Sequence, residues 1–158
     1  MQLIFSKYPD KPPTLSCVRD DGSVTWQSYG NQGSFFPVHD LTHFAVETEL
    51  GYRNAFLGMI ASGRDLNDFG PGDAAMFHPE AHYAEMLAGL LTVVEGNGSV
   101  LSYEAIKEAI NQKAEEVASP PIALIEPQLE CIRAHTAQLT KQWKNLPDGE
   151  KLFLKFAR

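Results

Sequence analysis

The dipeptide Asp21-Gly22 lies between two short runs of strand-forming residues and constrains the fold more than any other feature, because a tight turn there requires an antiparallel pair. A two-residue turn at this point pairs Asp20 with Ser23, Arg19 with Val24 and Cys17 with Trp26. That register places Leu15, Cys17, Val24 and Trp26 on one face and Ser16, Val18, Thr25 and Gln27 on the other, the mixed pattern of a sheet covered on one side only. Residues 2–7 form a further apolar strand, ended by Pro9, Pro12 and Pro13, which have no N–H to give to a ladder. Pro147-Asp148-Gly149 turns the chain into a closing strand over 151–156.

Between these strands the hydrophobic period is helical. Asn31-Gln32-Gly33-Ser34 is a loop, and Phe35-Phe36-Pro37 leads into a helix that Gly51 ends as a C-cap. A second helix covers 54–62, with Gly63 in the same role. The break-rich loop 63–72 can serve as a lid beside a site or as a plain connection, and 74–77 read as a short turn. Pro79 restarts a helix that runs to about residue 95 and is apolar nearly all round (Met86, Leu87, Leu90, Leu91, Val93, Val94). It reads as the central, buried helix, with Gly89 marking a close approach to a neighbour and Gly96-Asn97-Gly98 ending it. Ser102 caps the next helix, whose stripe is Ile106, Ala109, Ile110, Ala114 and Val117. After Ser119-Pro120-Pro121, Pro127 opens the last helix. Its seam of Ile125, Leu129, Ile132, Thr136, Leu139, Trp143 and Leu146 packs along another helix of the chain or, as the alternative, along a second copy in a homodimer. The order is therefore α+β: a small, mainly antiparallel sheet (N-terminal strand, hairpin, C-terminal strand) covered on one face by about five helices, in one domain over 1–158.

Composition narrows the partners. A formal net charge of -7 opposes a nucleic-acid or anionic-membrane surface, which requires clustered Lys and Arg. No apolar run approaches the roughly 18 residues of a membrane span, and residues 1–7 are too short and too soon charged for a signal peptide, so a cytoplasmic location is expected. Cys17 and Cys131, far apart and outside any C-x-x-C pair, read as two buried thiols. Cys131 and His135 flank the seam of the last helix and read as a structural thiol beside a boundary histidine. No G-x-S-x-G elbow, phosphate loop or dinucleotide-binding glycine pattern occurs.

The chemistry concentrates in His39-Asp40-Leu41-Thr42-His43-Phe44-Ala45-Val46-Glu47. On a helix, His39, His43 and Glu47 share one face, with Asp40 at its border. Two imidazoles one turn apart can converge on one ion, the reason H-x-x-x-H recurs in helical zinc sites. Glu47 lies about 12 Å from His39 along the axis, so a further ligand comes from elsewhere. His78-Pro79-Glu80-Ala81-His82, with Glu85 a turn later, repeats the pattern. If the two helices pack together, imidazoles from both complete a site for zinc or another divalent metal, with Glu47 or Glu85 as an oxygen ligand or an outer partner. The same histidines also fit plainer roles: His82 as a core histidine bonded to a backbone carbonyl, and His78 as a helix cap.

H-D-x-x-H resembles the H-E-x-x-H helix of zinc metallopeptidases (zincins), with Asp40 where the glutamate that polarises water stands. One methylene fewer sets that carboxylate roughly 1.5 Å further back, which weakens the likeness to a protease. The block Val38-His39-Asp40-Leu41-Thr42-His43 with Val46-Glu47 and Leu50-Gly51 also resembles a group of uncharacterised bacterial proteins of similar size. So do Phe56-Leu57-Gly58-Met59-Ile60-Ala61-Ser62-Gly63 and the ending Trp143, Leu146-Pro147, Gly149 and Leu152. That likeness brings no catalytic residue with it.

The expectation is a small metal-binding protein, with a metal-dependent hydrolase as its catalytic form. His39 and His43 are the ligands, Glu47, His78 or His82 complete the sphere, and Asp40 orients a ligand or serves as base. The substrate, a small molecule or peptide, is not legible. The competing reading is a non-enzymatic binding or assembly protein whose histidines are structural.

Overall fold

The computed structural model describes residues 1–69, 78–116, 118 and 120–157. The turn expected over 74–77, part of the loop 63–72, and Val117 and Ser119 lie outside the described residues. Four strands, β1 (Gln2–Ser6), β2 (Thr14–Val18), β3 (Val24–Ser28) and β4 (Lys151–Lys155), form an antiparallel sheet in the order β3-β2-β1-β4. Five α-helices occur among the described residues: α1 (Phe36–Leu50), α2 (Phe56–Ala61), α3 (Pro79–Gly89), α4 (Tyr103–Glu116) and α5 (Glu126–Asn145). The architecture is α+β, as the element order implied.

The hairpin forms with a register one residue from the expected one: Val18 faces Val24, Cys17 faces Thr25 and Leu15 faces Gln27. Its loop holds three residues, Asp20, Asp21 and Gly22: Gly22 adopts positive φ (84°), but Asp21 does not take the positive φ that a two-residue hairpin turn demands at its first position. Asp21 instead accepts the Ser23 N–H at 2.9 Å through its side chain. A slip of one residue reverses the faces of β3. Val24 and Trp26 therefore point to solvent, 56% and 59% exposed, while Thr25 is buried and Gln27 turns to the helical side.

Leu3, Phe5, Leu15 and Cys17 cover the inner face of the sheet and pack with Leu41, Phe44, Leu57, Ile60, Leu139 and Trp143. A second apolar cluster joins Ala45 and Val46 to Tyr83, Leu87, Ile106, Ile110, Leu129 and Ile132. Both clusters meet on α1, where every residue from Asp40 to Glu47 is buried. The central helix is thus α1 and not the 79–95 segment, in which Met86 and Leu90 are half-buried and Val93 is 48% exposed. Position in the layers decides this: α1 lies against the sheet cluster on one side and against α3 and α5 on the other, so even its polar residues are enclosed.

Several local expectations hold. Gly51 ends α1 with φ 67°, Pro37, Pro79 and Pro127 sit in first turns, and Ser102 Oγ caps the Ala105 N–H at 3.1 Å. The seam of α5 buries Leu129, Ile132, Leu139 and Trp143 within the chain, whereas Ile125, expected to open it, is an exposed N-cap residue. Cys17 is buried, but Cys131 is exposed, because it lies beside the seam and not in it. Gly89 has open space where a side chain would stand; the close approach falls at Gly58, where a Cβ would meet the Arg53 carbonyl oxygen at 2.3 Å. α3 continues through a π-helical turn, Leu90–Val94, and a 3-10 turn, Glu95–Asn97, which Gly98 ends at φ 89°. Among the described residues no helix is long and apolar enough to cross a membrane.

Candidate metal centre

One face of α1 presents His39, Asp40, His43 and Glu47, as the helical period requires. α3 packs across it and brings in Glu85. His39, His43 and Glu85 each offer a ligand atom, and these atoms lie within 4.8 Å of one another; this is the one such group of three among the described residues. His43 Nε2 is 3.1 Å from Glu85 Oε2, and His39 Nε2 is 3.5 Å from Glu85 Oε1. The two imidazoles meet edge to face with centroids 4.8 Å apart. Phe35 stacks on His39 at 5.6 Å and Phe56 leans on His43 at 5.3 Å, so each imidazole also packs against an aromatic ring.

Glu47 stands outside this group. It is fully buried and accepts from His43 Nδ1 at 3.2 Å, from the Leu57 N–H at 2.9 Å and from the Gly58 N–H at 3.2 Å. The amides at the start of α2 thus anchor the carboxylate, which in turn fixes the ring of His43. Glu85, not Glu47, supplies the carboxylate that faces both imidazoles, in accord with the distance along α1 that separates Glu47 from His39. Of the other expected ligands, His78 is the N-cap of α3, its Nδ1 accepting the Glu80 N–H at 3.2 Å. His82 is on α3, where burial and the charge of Lys113 hold its pKa below the ordinary value. Neither joins the group, because Pro79 starts α3 so that Glu85, and not His78 or His82, reaches α1.

Asp40 lies beside the three and is buried. Loss of hydration raises its pKa to about 6 despite a hydrogen bond from Tyr29 Oη at 2.7 Å and the nearby histidines, which act to lower it. Burial and the Asp40 charge push the Tyr29 phenol well above its ordinary value, so it stays a donor. Burial works to lower the pKa of His43, but hydrogen bonds to Glu47 and Glu85 outweigh it and raise the imidazole to about 10. Hydrogen bonds to His39 and His43 hold Glu85 far below the carboxylate range. An ion-free site therefore carries a positive charge on His43 between two carboxylates. A metal ion entering it replaces that proton.

The group opens on a cavity of about 600 Å³. Phe36, Phe56 and Phe69 line it together with Gln27, Ser28 and Gln32, and among the described residues neither lysine nor arginine does. Tyr29 and the α2 amides carry no sequence signal of their own, since each becomes functional only through what it meets in space. Gln27 joins the lining because of the shifted hairpin register. No family model, curated protein or solved structure matches the chain, so the site is read from its own geometry.

Proposed function

We propose that the chain is a metal-dependent hydrolase in which His39, His43 and Glu85 hold one divalent ion, zinc by preference, and Asp40 serves as base. The observation that carries this reading is the convergence of two imidazoles and one carboxylate at the wall of a cavity. Two histidines and a glutamate are a donor set of catalytic zinc sites, which keep a fourth position for water or substrate. An ion held there supplies Lewis acidity toward a substrate oxygen and lowers the pKa of water.

The chain's own groups do the remainder. Glu47 accepts the Nδ1–H of His43, so loss of the Nε2 proton that faces Glu85 leaves the tautomer that ligation needs. Asp40, held near neutrality by burial and oriented by Tyr29, can take a proton and return it at ordinary pH. The aromatic and amide lining, with no lysine or arginine among the described residues, favours an uncharged substrate such as a neutral ester or amide over a phosphorylated one.

The test is metal content by elemental analysis after zinc supplementation. The parent is expected to hold about one ion per chain, with His39→Ala/His43→Ala losing it, Glu85→Gln weakening it and His78→Ala retaining it. A hydrolysis screen with neutral esters and amides follows. In it Asp40→Asn lowers turnover by about 100-fold or more with metal content kept. A parent that binds no added divalent metal overturns the proposal.

A non-enzymatic binding or assembly protein is the second reading. It is favoured by one fact: carboxylates already satisfy both ring nitrogens of His43. Under that reading, replacing His43 lowers stability or disturbs a homodimer and there is no metal to lose.

A further inference from the structure

We propose that the groove between α1, α5 and the π-helical turn is a second binding site, for an anionic amphiphile of the fatty-acid type. It lies on the face of α1 next to the one that carries the metal centre, about 100° around the helix. Val38 and Thr42 line the groove, whereas His39 and His43 line the first cavity, so the proposal does not depend on the metal reading. The groove holds about 730 Å³, ample for a small molecule. Along α5 its wall runs from Arg133 through Thr136, Ala137 and Thr140 to Lys141 and Lys144. At about 1.5 Å per residue this is a slot of roughly 17 Å, a shape for an extended chain and not for a compact ring system.

The two ends differ in charge. At one end the Arg133 guanidinium is consumed by Glu95 and Glu130. At the other, Lys141 and Lys144 form no ion pair among the described residues, an unbalanced cationic end in a chain whose formal net charge is -7. Between the ends, Val38, Leu91 and Ala137 supply apolar wall. Thr42 Oγ1 donates to the Val38 carbonyl at 2.8 Å and accepts from Thr92 Oγ1 at 3.2 Å. Thr136 Oγ1 is buried beneath the groove surface, so it presents no polar atom to a hydrocarbon chain lying there. Leu91 and Thr92 reach the groove from the π-helical turn, a local widening of the helix that recurs at functional sites. A hydrocarbon chain fits the apolar middle, and a carboxylate fits the lysine end.

The test is calorimetric titration of dodecanoate, below its micelle concentration, into the metal-stripped chain. The parent is expected to bind one molecule. Binding falls about tenfold or more in Lys141→Glu/Lys144→Glu, both exposed positions, and is lost in Ala137→Trp, which fills the slot. It is unchanged in Gln27→Glu, which puts a repelling charge on the first cavity only, and dodecyltrimethylammonium binds the parent about tenfold or more weakly than dodecanoate. Circular dichroism checks the fold of each variant, and if Ala137→Trp misfolds the charge variant and the headgroup comparison decide. Absence of binding, or equal binding of both headgroups, overturns the proposal. So does loss of binding in Gln27→Glu, which moves the carboxylate to the first cavity, and so does a concentration-dependent dimer, abolished by Lys141→Glu/Lys144→Glu, which assigns the groove to a second copy.

Discussion

Asp40→Asn is expected to make the metal-stripped protein more stable near neutral pH. Asp40 is buried, and its carboxyl is held at about 6, whereas an aspartate in an unfolded chain titrates at about 3.9. Ionising it in the folded state therefore costs roughly 3 kcal/mol relative to the unfolded chain, at about 1.4 kcal/mol per tenfold change in acidity. Asparagine keeps an oxygen for the Tyr29 hydroxyl and removes the charge, but its amide hydrogens need partners, so the net gain lies between about 1 and 3 kcal/mol. The pH dependence has a definite sign. Between about pH 4 and pH 6 the folded state binds more protons at this residue than the unfolded state, so the parent loses stability as pH rises through that window and the variant does not. Urea unfolding followed by the fluorescence of buried Trp143, in chelator at about pH 4, 5 and 7.5, measures the difference. A variant no more stable than the parent at the highest of these, or one with the same advantage at the lowest, refutes the reasoning. Together with a loss of turnover, the expected result marks Asp40 as a residue kept for chemistry at the expense of stability.

Other substitutions probe the surroundings of the centre. Glu47→Gln retains an acceptor for the α2 amides but loses the charge behind His43, so zinc affinity by competition titration should fall about 10–100-fold with the circular dichroism spectrum unchanged. Glu47→Ala leaves those amides and the His43 ring without their buried partner and should cost about 3–5 kcal/mol in urea unfolding. The two helical glycines should respond in opposite directions in thermal melts. Gly58→Ala collides with the Arg53 backbone and lowers stability by more than about 2 kcal/mol, whereas Gly89→Ala enters open space and raises it by about 0.5–1 kcal/mol. Burial raises the Cys17 thiol to about 12 while Cys131 is exposed. A thiol reagent should therefore label one cysteine promptly in the native protein and the other only on unfolding.

The sheet and helices were legible because their signals are local: proline positions, glycine caps and two clean hydrophobic periods. The hairpin register was not. It depends on whether Asp21 takes positive φ, and the Asp21 to Ser23 hydrogen bond that makes this unnecessary is a feature of the folded loop. His39, Asp40 and His43 stood out because one helix carries them at a spacing with chemical meaning. Glu85 and Glu47 were both visible as carboxylates beside the histidines. Which one faces the imidazoles and which stands behind them was settled by how α3 crosses α1, a tertiary fact with no periodic signature. The burial of α1 was hidden for the same reason, since Asp40, Thr42, His43 and Glu47 interrupt its apolar run and only the enclosing layers make them interior.

The enclosure of α1 divides the first cavity into a wall that cannot vary and a wall that can. His39, Asp40, His43 and Glu47 belong to the same packed helix on which both apolar clusters meet, so a change there disturbs the folding of the chain as well as its chemistry. Gln27, Ser28 and Gln32 border the same space from the end of an edge strand and the loop after it. If the cavity holds a substrate as proposed, an evolving lineage, or an engineer, can retune which molecule enters by rewriting those three positions and leave the core untouched.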